Sequence, residues 1–280
     1  MIHISNRFYR KPEAICRVLP EWEHITLPEE VKQFIASGKK EIEQRVSKLD
    51  LLLRPATLYD IEGIQQLHLR SFPSGTSTLE DAYILFRIIS FGYAPVLEAR
   101  DGRIVGCNIC QGHDDPDLTA YGVRITVDPC MAGHNLGAEL VNYTCLMGME
   151  RGSHIRRGLL NPTNFGSASN FLNYVGYLCE SFNPDLPGFG PRFTVALPLT
   201  PGGVRNNRID LDKVKVFVNT HEPEKDYLIA DCTDLDKITW MYDRTPFKVV
   251  AFLKGDANSK ENRFLALPKD ILGFPKTDVP

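Results

Sequence analysis

Residues Val127 to Leu140 read VDPCMAGHNLGAEL, and how this stretch is understood decides the fold. An apolar run, AYGVRITV, leads into Val127 and stops at Pro129. Beyond a loop holding Gly133 and Gly137, the spacing Leu136, Leu140, Tyr143, Met147 has the period of a helix that ends near Gly152. The first amides of any helix lack intrahelical partners and lie at the positive end of its dipole. A loop with little side-chain bulk in front of them is therefore an anion site. The same glycines also suit close packing of a helix on a sheet, so spacing alone leaves both readings open.

Upstream, LLLRPA from Leu51 reads as a short strand, and Thr57-x-x-Asp60 opens a helix carrying Ile61, Ile64 and Leu67. Ser77-x-x-Glu80 opens a second helix running to about Ile89. PVLEA and RIVGCNICQ, separated by Asp101-Gly102, form a hairpin pattern, and the polar turn GHDDPD leads to AYGVRITV. Downstream, RGLL reads as a strand, residues 167–175 as a helix, and GYLCESF and RFTVALPL as strands separated by the turn-rich NPDLPGFGP. A helix joining neighbouring strands requires parallel pairing, so the pattern predicts an α/β (α+β) fold: a mixed central β-sheet flanked by helices.

Residues 1–50 read as an N-terminal extension with one helix, in which Thr26 caps and Pro28 occupies the first turn. Pro201-Gly202-Gly203 marks a boundary at the other end. Beyond it KVKVFV, YLIADC, FKVVAFL and RFLAL read as strands around one helix, DLDKITWMY, a small α+β appendage over 201–280. The region 51–200 is left as the main domain.

With 280 residues, 43% hydrophobic and 24% charged, the chain has the composition of an ordinary globular protein. A net charge of −3 without any Lys/Arg block argues against nucleic acid as a partner. MIHISNRFYRK lacks the apolar segment of a secretory signal, and Ala82–Leu97 is interrupted by Arg87, Gly92 and Pro95, so the expectation is a cytoplasmic protein without a membrane partner. Seven scattered cysteines argue for reduced thiols. The Cys107-Asn-Ile-Cys110 pair lies in a strand, where side chains three apart face opposite ways, and no second pair completes a metal site.

VDPCMAGHNLGAELV resembles, without gaps, the acetyl-coenzyme A loop of the GNAT N-acetyltransferase superfamily. Val127, Pro129, Gly133, Gly137 and Leu140 match the family's pattern. Met131, Ala132 and Asn135 replace its aromatic, its Arg/Gln and its central Gly. LLRPATLYDIEGI and ASNFLNYVGYLCES resemble the family's opening strand-helix and its later helix-to-strand segment. The resemblance thus spans about residues 52–198, and the element order above is also the family's.

That resemblance implies an acyltransferase that moves an acetyl group from acetyl-CoA to an amine of a small molecule or protein. It implies main-chain pairing of the pantetheine arm with Ile125 and Val127, and a pyrophosphate cradle over Ala132, Gly133, His134, Asn135, Leu136, Gly137 and Ala138. Asn164, Ser167 and Asn170 would contact pantetheine and phosphate, with Ser167 alternatively an N-cap. The family's acidic Tyr falls on Leu172, and Tyr174 is the nearest phenol. Glu98 and His113, with Asp114 and Asp115 beside the latter, are the candidate bases. Arg124 could meet an acidic substrate group or simply extend to solvent, and Cys130 is the exposed-loop thiol. Three alternatives stay open: turnover, coenzyme binding without turnover, and a scaffold for a protein partner. The acceptor and the oligomeric state, a homodimer among the options, are also open.

Overall fold

A computed structural model describes residues 26–72, 81–112, 119–206, 210–255 and 261–268. Helix α1 (Glu29–Ser47) starts from Pro28, whose carbonyl accepts from the amides of Val31 and Lys32. Thr26 is not the cap: proline's fixed φ pre-forms the helix entry two residues later. Strand β1 (Leu51–Pro55) leads to a single 3₁₀ turn (Leu58–Asp60) and helix α2 (Ile61–Ser71). Thr57 and Asp60 form the expected reciprocal capping box. Helix α3 (Ala82–Phe91) is capped by Asp81, whose side chain accepts from the Tyr83 amide; the expected cap at Ser77 lies outside the described residues.

Strands β2 (Pro95–Ala99), β3 (Ile104–Gln111), β4 (Thr119–Val127), β5 (Ile155–Leu160), β6 (Leu178–Leu186) and β7 (Gly190–Pro198) complete a seven-stranded sheet ordered β1-β2-β3-β4-β5-β7-β6. Only β4 and β5 pair in parallel; α4 (Leu136–Glu150) crosses between them, as the helical spacing after Val127 demands. Helix α5 (Phe165–Ala168, continuing as a π-helix over Ser169–Val175) joins β5 to β6.

The sheet divides the core in two. One face carries Ile64 and Leu67 of α2 and Leu85 and Ile88 of α3 over Val96, Cys107 and Ile109. The other carries Leu140, Leu146, Leu172 and Val175 of α4 and α5, with Ile35, Ile42 and Val46 of α1 behind them. Cys107 and Cys110 belong to opposite faces, as strand geometry requires, and the six described cysteines are all free thiols. Helix α1 is fastened along α4 by Lys39–Glu150 at 2.6 Å and Arg45–Glu139 at 2.7 Å, and Gly38 gives the Leu146 side chain room to approach.

The C-terminal region begins with α6 (Pro201–Asn206) and α7 (Leu211–Thr220), then builds a three-stranded antiparallel sheet ordered β8-β10-β9 from β8 (Leu228–Asp231), β9 (Phe247–Leu253) and β10 (Arg263–Pro268), with α8 (Leu235–Arg244) between β8 and β9. KVKVFV is helical, not a strand. Asp210 caps its start by accepting from the amides of Asp212 and Lys213, and Val214, Phe217 and Val218 recur at three- and four-residue spacing on the face packed against Tyr227 and Leu265. No helix among the described residues is long and apolar enough to cross a membrane.

Candidate functional site

Strands β4 and β5 pair only from Thr119 to Tyr121 against Ile155 to Arg157. Past that point they part. Opposite β3, Ile109 pairs with Arg124 but Cys110 pairs with Gly122, so Val123 is an extra residue in β4. A bulge of this kind bends its strand, and here it bends β4 where pairing with β5 stops. Two side-chain-free residues, Gly122 and Gly158, flank the parting point; a Cβ on Gly158 would lie 4.0 Å from the Gly122 carbonyl. The result is a wedge whose walls are the unpaired edges of β4 and β5.

Both strands run toward the mouth of the wedge, so the N-termini of α4 and α5 lie there. After Val127, Asp128 accepts from the Cys130 amide at 3.1 Å and takes Arg70 Nε at 2.8 Å, which fixes the chain's exit from β4. A 3₁₀ turn (Pro129–Met131) follows, and Asn135 then caps α4 at φ 55° in the left-handed region that Asn tolerates better than most residues. Gly133, at φ 87°, has open space around its Cβ position. The amides of Gly133, His134, Asn135, Leu136 and Gly137 make no backbone hydrogen bond among the described residues. They stand at the positive end of a fifteen-residue helix, with Gly133, His134 and Asn135 exposed and Leu136 and Gly137 buried. The turn therefore forms with Asn135, not glycine, at this position.

Across the mouth, the Asn170 side chain is pressed onto Gly137: a Cβ there would meet its Nδ2 at 2.5 Å. Asn164 is the N-cap of α5, its Oδ1 accepting from the Ser167 amide at 3.1 Å, so capping belongs to Asn164 and not to Ser167. The structure brings Asn170 and the Ile125 side chain to Gly137, and places Asn164 and Ser167 at the start of α5, in the turns before Asn170. The residues fit a diphosphate cradle: unpaired amides, a helix dipole and one glycine without a crowding neighbour.

The acid/base candidates fare differently. Glu98 sits on β2, two strands from the wedge wall, and its carboxylate takes Arg54 Nε at 2.7 Å. The other edge of that guanidinium holds Asp60 at 2.7 and 2.8 Å. Glu98 is thereby a corner of an ion triad with Arg54 and Asp60, on a strand that does not border the wedge. His113, Asp114 and Asp115 lie outside the described residues. Tyr174 is half-buried in the π-helical segment, and Leu172 is fully buried against the core, so an apolar side chain fills the position where the family's pattern has its acid. Cys130 is exposed, and the carboxylate of Asp128 pushes its thiol upward, away from the reactive thiolate.

Two buried side chains escaped sequence reasoning. On the α2 face, His68 places Nε2 3.6 Å from Cys107 Sγ and leaves Nδ1 without a partner. Burial first, and then the Arg124 cation, lower it to about 4, so it is neutral near pH 7. Arg124 stacks over the Phe72 ring at 5.6 Å on that same face. On the α4 face, Arg156 of β5 is fully buried. Its Nη1 donates to the Val141 carbonyl at 2.9 Å and approaches Cys145 Sγ at 3.5 Å, and Nη2 meets Asn108 Oδ1 at 3.3 Å. The sequence offered one signal for it: two consecutive arginines on a strand must put one on each face.

No protein-family model matches this chain, and no curated protein matches it. Among solved structures, a chain of the NatC complex bound to Gag peptide and CoA is similar at 15% identity, covering 54% of this chain and 99% of that one, with a TM-score of 0.47. The YncA protein of Salmonella typhimurium with acetyl-CoA is similar at 16% identity over 54% and 94%, TM-score 0.46. An N-acetyltransferase from Staphylococcus aureus Mu50 is similar at 14% identity over 54% and 99%, TM-score 0.45. Likeness of this degree says nothing about the reaction.

Proposed function

We propose that this chain is an acyl-CoA-dependent N-acyltransferase, with acetyl-CoA as donor and an amine of a small molecule or protein as acceptor. One observation carries the reading: β4 separates from β5 immediately beyond Tyr121, and the wedge so formed opens toward the amides of Gly133 to Gly137, which make no backbone hydrogen bond among the described residues. Diphosphate oxygens suit those amides. A pantetheine arm, which carries its own amide groups, suits the open edge of β4 from Val123 to Val127, as the loop's resemblance implies. CoA supplies the activated thioester; the chain's part is to bind it, to hold its carbonyl against β4 amides that become oxyanion donors, and to exclude water. The free thiols at opposite sheet faces support a reducing, cytoplasmic setting for the reaction.

Binding without turnover is the second reading, favoured by Leu172 in place of an acid and by the Arg54 partner of Glu98. A thermal-shift titration with acetyl-CoA tests the common premise, since ligand at about 100 times its Kd stabilises by about 2.7 kcal/mol. Absence of any shift refutes both readings. Thiol release across a panel of amines then separates enzyme from binder.

A further inference from the structure

Arg156 poses a problem of charge. The residue is 1% exposed, and its guanidinium makes no ion pair among the described residues. Three neutral acceptors, the Val141 carbonyl, Cys145 Sγ and Asn108 Oδ1, serve the two terminal nitrogens, while Nε has no hydrogen-bond partner among the described residues. The titratable groups that face it are the Cys110 thiol on β3, the Cys145 thiol on α4 and the Tyr177 phenol after α5. Burial pushes Cys110 up to about 11 and Tyr177 well above the usual phenol value, so neither supplies a negative charge near neutral pH. An isolated buried cation costs several kcal/mol unless something compensates it.

Its position supplies the clue. A Cβ on Gly122 would lie 3.4 Å from Nη2, so the guanidinium rests against the β4 backbone one residue beyond the last β4–β5 pair. That is the apex of the wedge, toward which the thioester end of the donor points if the proposed function holds. We infer that Arg156 stabilises the thiolate that departs from the acyl donor, taking over from the acid that this chain lacks at Leu172.

In the step concerned, the amine nitrogen forms a bond to the acyl carbon, the carbon–sulfur bond breaks, and its electron pair stays on sulfur as CoA thiolate. The proton lost by the new amide nitrogen goes to solvent, and no proton need reach sulfur inside the site. A fixed cation in a water-poor apex favours the charge that appears there without reorganising.

The test is the thiol of CoA itself, titrated by thiolate absorbance in the complex with the full chain, with desulfo-CoA as the blank. Free CoA is the reference. In the wild-type complex the thiol is expected to ionise at least tenfold more readily, one pKa unit lower. Arg156→Met abolishes that difference and Arg156→Lys keeps most of it, whereas a merely structural arginine would alter melting temperature and leave the thiol of bound CoA unchanged between variants. An unshifted or raised thiol in the wild-type complex overturns the inference and leaves the proposed function standing; this arm needs no variant to fold. An equal shift in Arg156→Met also overturns it. Failure of CoA to bind at all overturns the proposed function, and this inference with it.

Discussion

Asn173 of α5 holds Phe252 of β9 by both backbone atoms: its Nδ2 donates to the carbonyl at 2.8 Å and its Oδ1 accepts from the amide at 2.9 Å. Phe165 stacks on the same residue, ring centroids 5.8 Å apart. The C-terminal sheet is thereby fastened to the helix that borders the wedge. Replacing Asn173 with Ala leaves a buried strand amide and carbonyl unpaired, each worth about 1–3 kcal/mol. Urea unfolding of Asn173→Ala is expected to show a loss of about 2–6 kcal/mol on that scale. A loss below 0.5 kcal/mol, on the order of surface changes, would refute the clamp.

The row of amides before α4 makes a prediction of the opposite sign for two neighbouring positions. Gly137→Ala drives a methyl group into Asn170 Nδ2 and should weaken CoA by about tenfold, roughly 1.4 kcal/mol, through displacement of a mouth residue. Asn135→Gly keeps the left-handed cap without a Cβ and should bind CoA more tightly. Calorimetric titration reads both, and equal affinities for the two variants would contradict this account of the mouth.

His68 ties stability to pH. Its folded value of about 4 lies below its ordinary 6.5, so between these values the unfolded chain takes up a proton that the folded chain refuses. Stability is complete above pH 6.5 and falls as the pH drops toward 4, by about 3 kcal/mol at roughly 1.4 per unit. His68→Gln should flatten this part of a plot of unfolding free energy against pH. An unchanged slope in the variant would assign the effect to other groups.

The Arg54 triad engages the Glu98 carboxylate, and a structural role for it makes a prediction. Glu98→Gln should lower unfolding free energy by about 1 kcal/mol or less, as for a partly exposed pair, and change kcat/KM less than threefold, within about 0.7 kcal/mol. A hundredfold fall in kcat/KM would restore it as base. Asp60, held below the usual carboxylate range mainly by Arg54 and opposed by burial, contributes stability above its unfolded value and loses it as pH falls through the lowered one.

The strand and helix order was legible because each signal was local. Thr57 and Asp60 are three apart, Asp101-Gly102 is a turn by itself, and Leu136 to Met147 repeat on one helix face. KVKVFV misled because β-branched residues favour strands while the cap and spacing around Asp210 favour a helix, and the packing of Phe217 decided the matter. The mouth was legible in part: the loop's glycines announce it, but Asn170 on Gly137 depends on α5 crossing α4. The π winding of Ser169–Val175 has no signature in its residues, and it displaces Tyr174 from the helical position that α-periodicity implies. Arg156 and His68 owe their character to burial by elements distant in sequence, which no local pattern reports.

The two charged tethers between α1 and α4 have a mechanical consequence. Lys39 grips α4 near its last turn through Glu150 and Arg45 near its first through Glu139, with Gly38 set against Leu146 between them. Partly exposed pairs of this kind contribute about 1 kcal/mol or less each, so they set the register of α1 on α4 while the burial of Leu140 and Leu146 holds α4 in place. Of the five amides at the entrance, those of Gly133, His134 and Asn135 belong to the loop and those of Leu136 and Gly137 to the helix, so the register of α4 on α1 helps set their spacing.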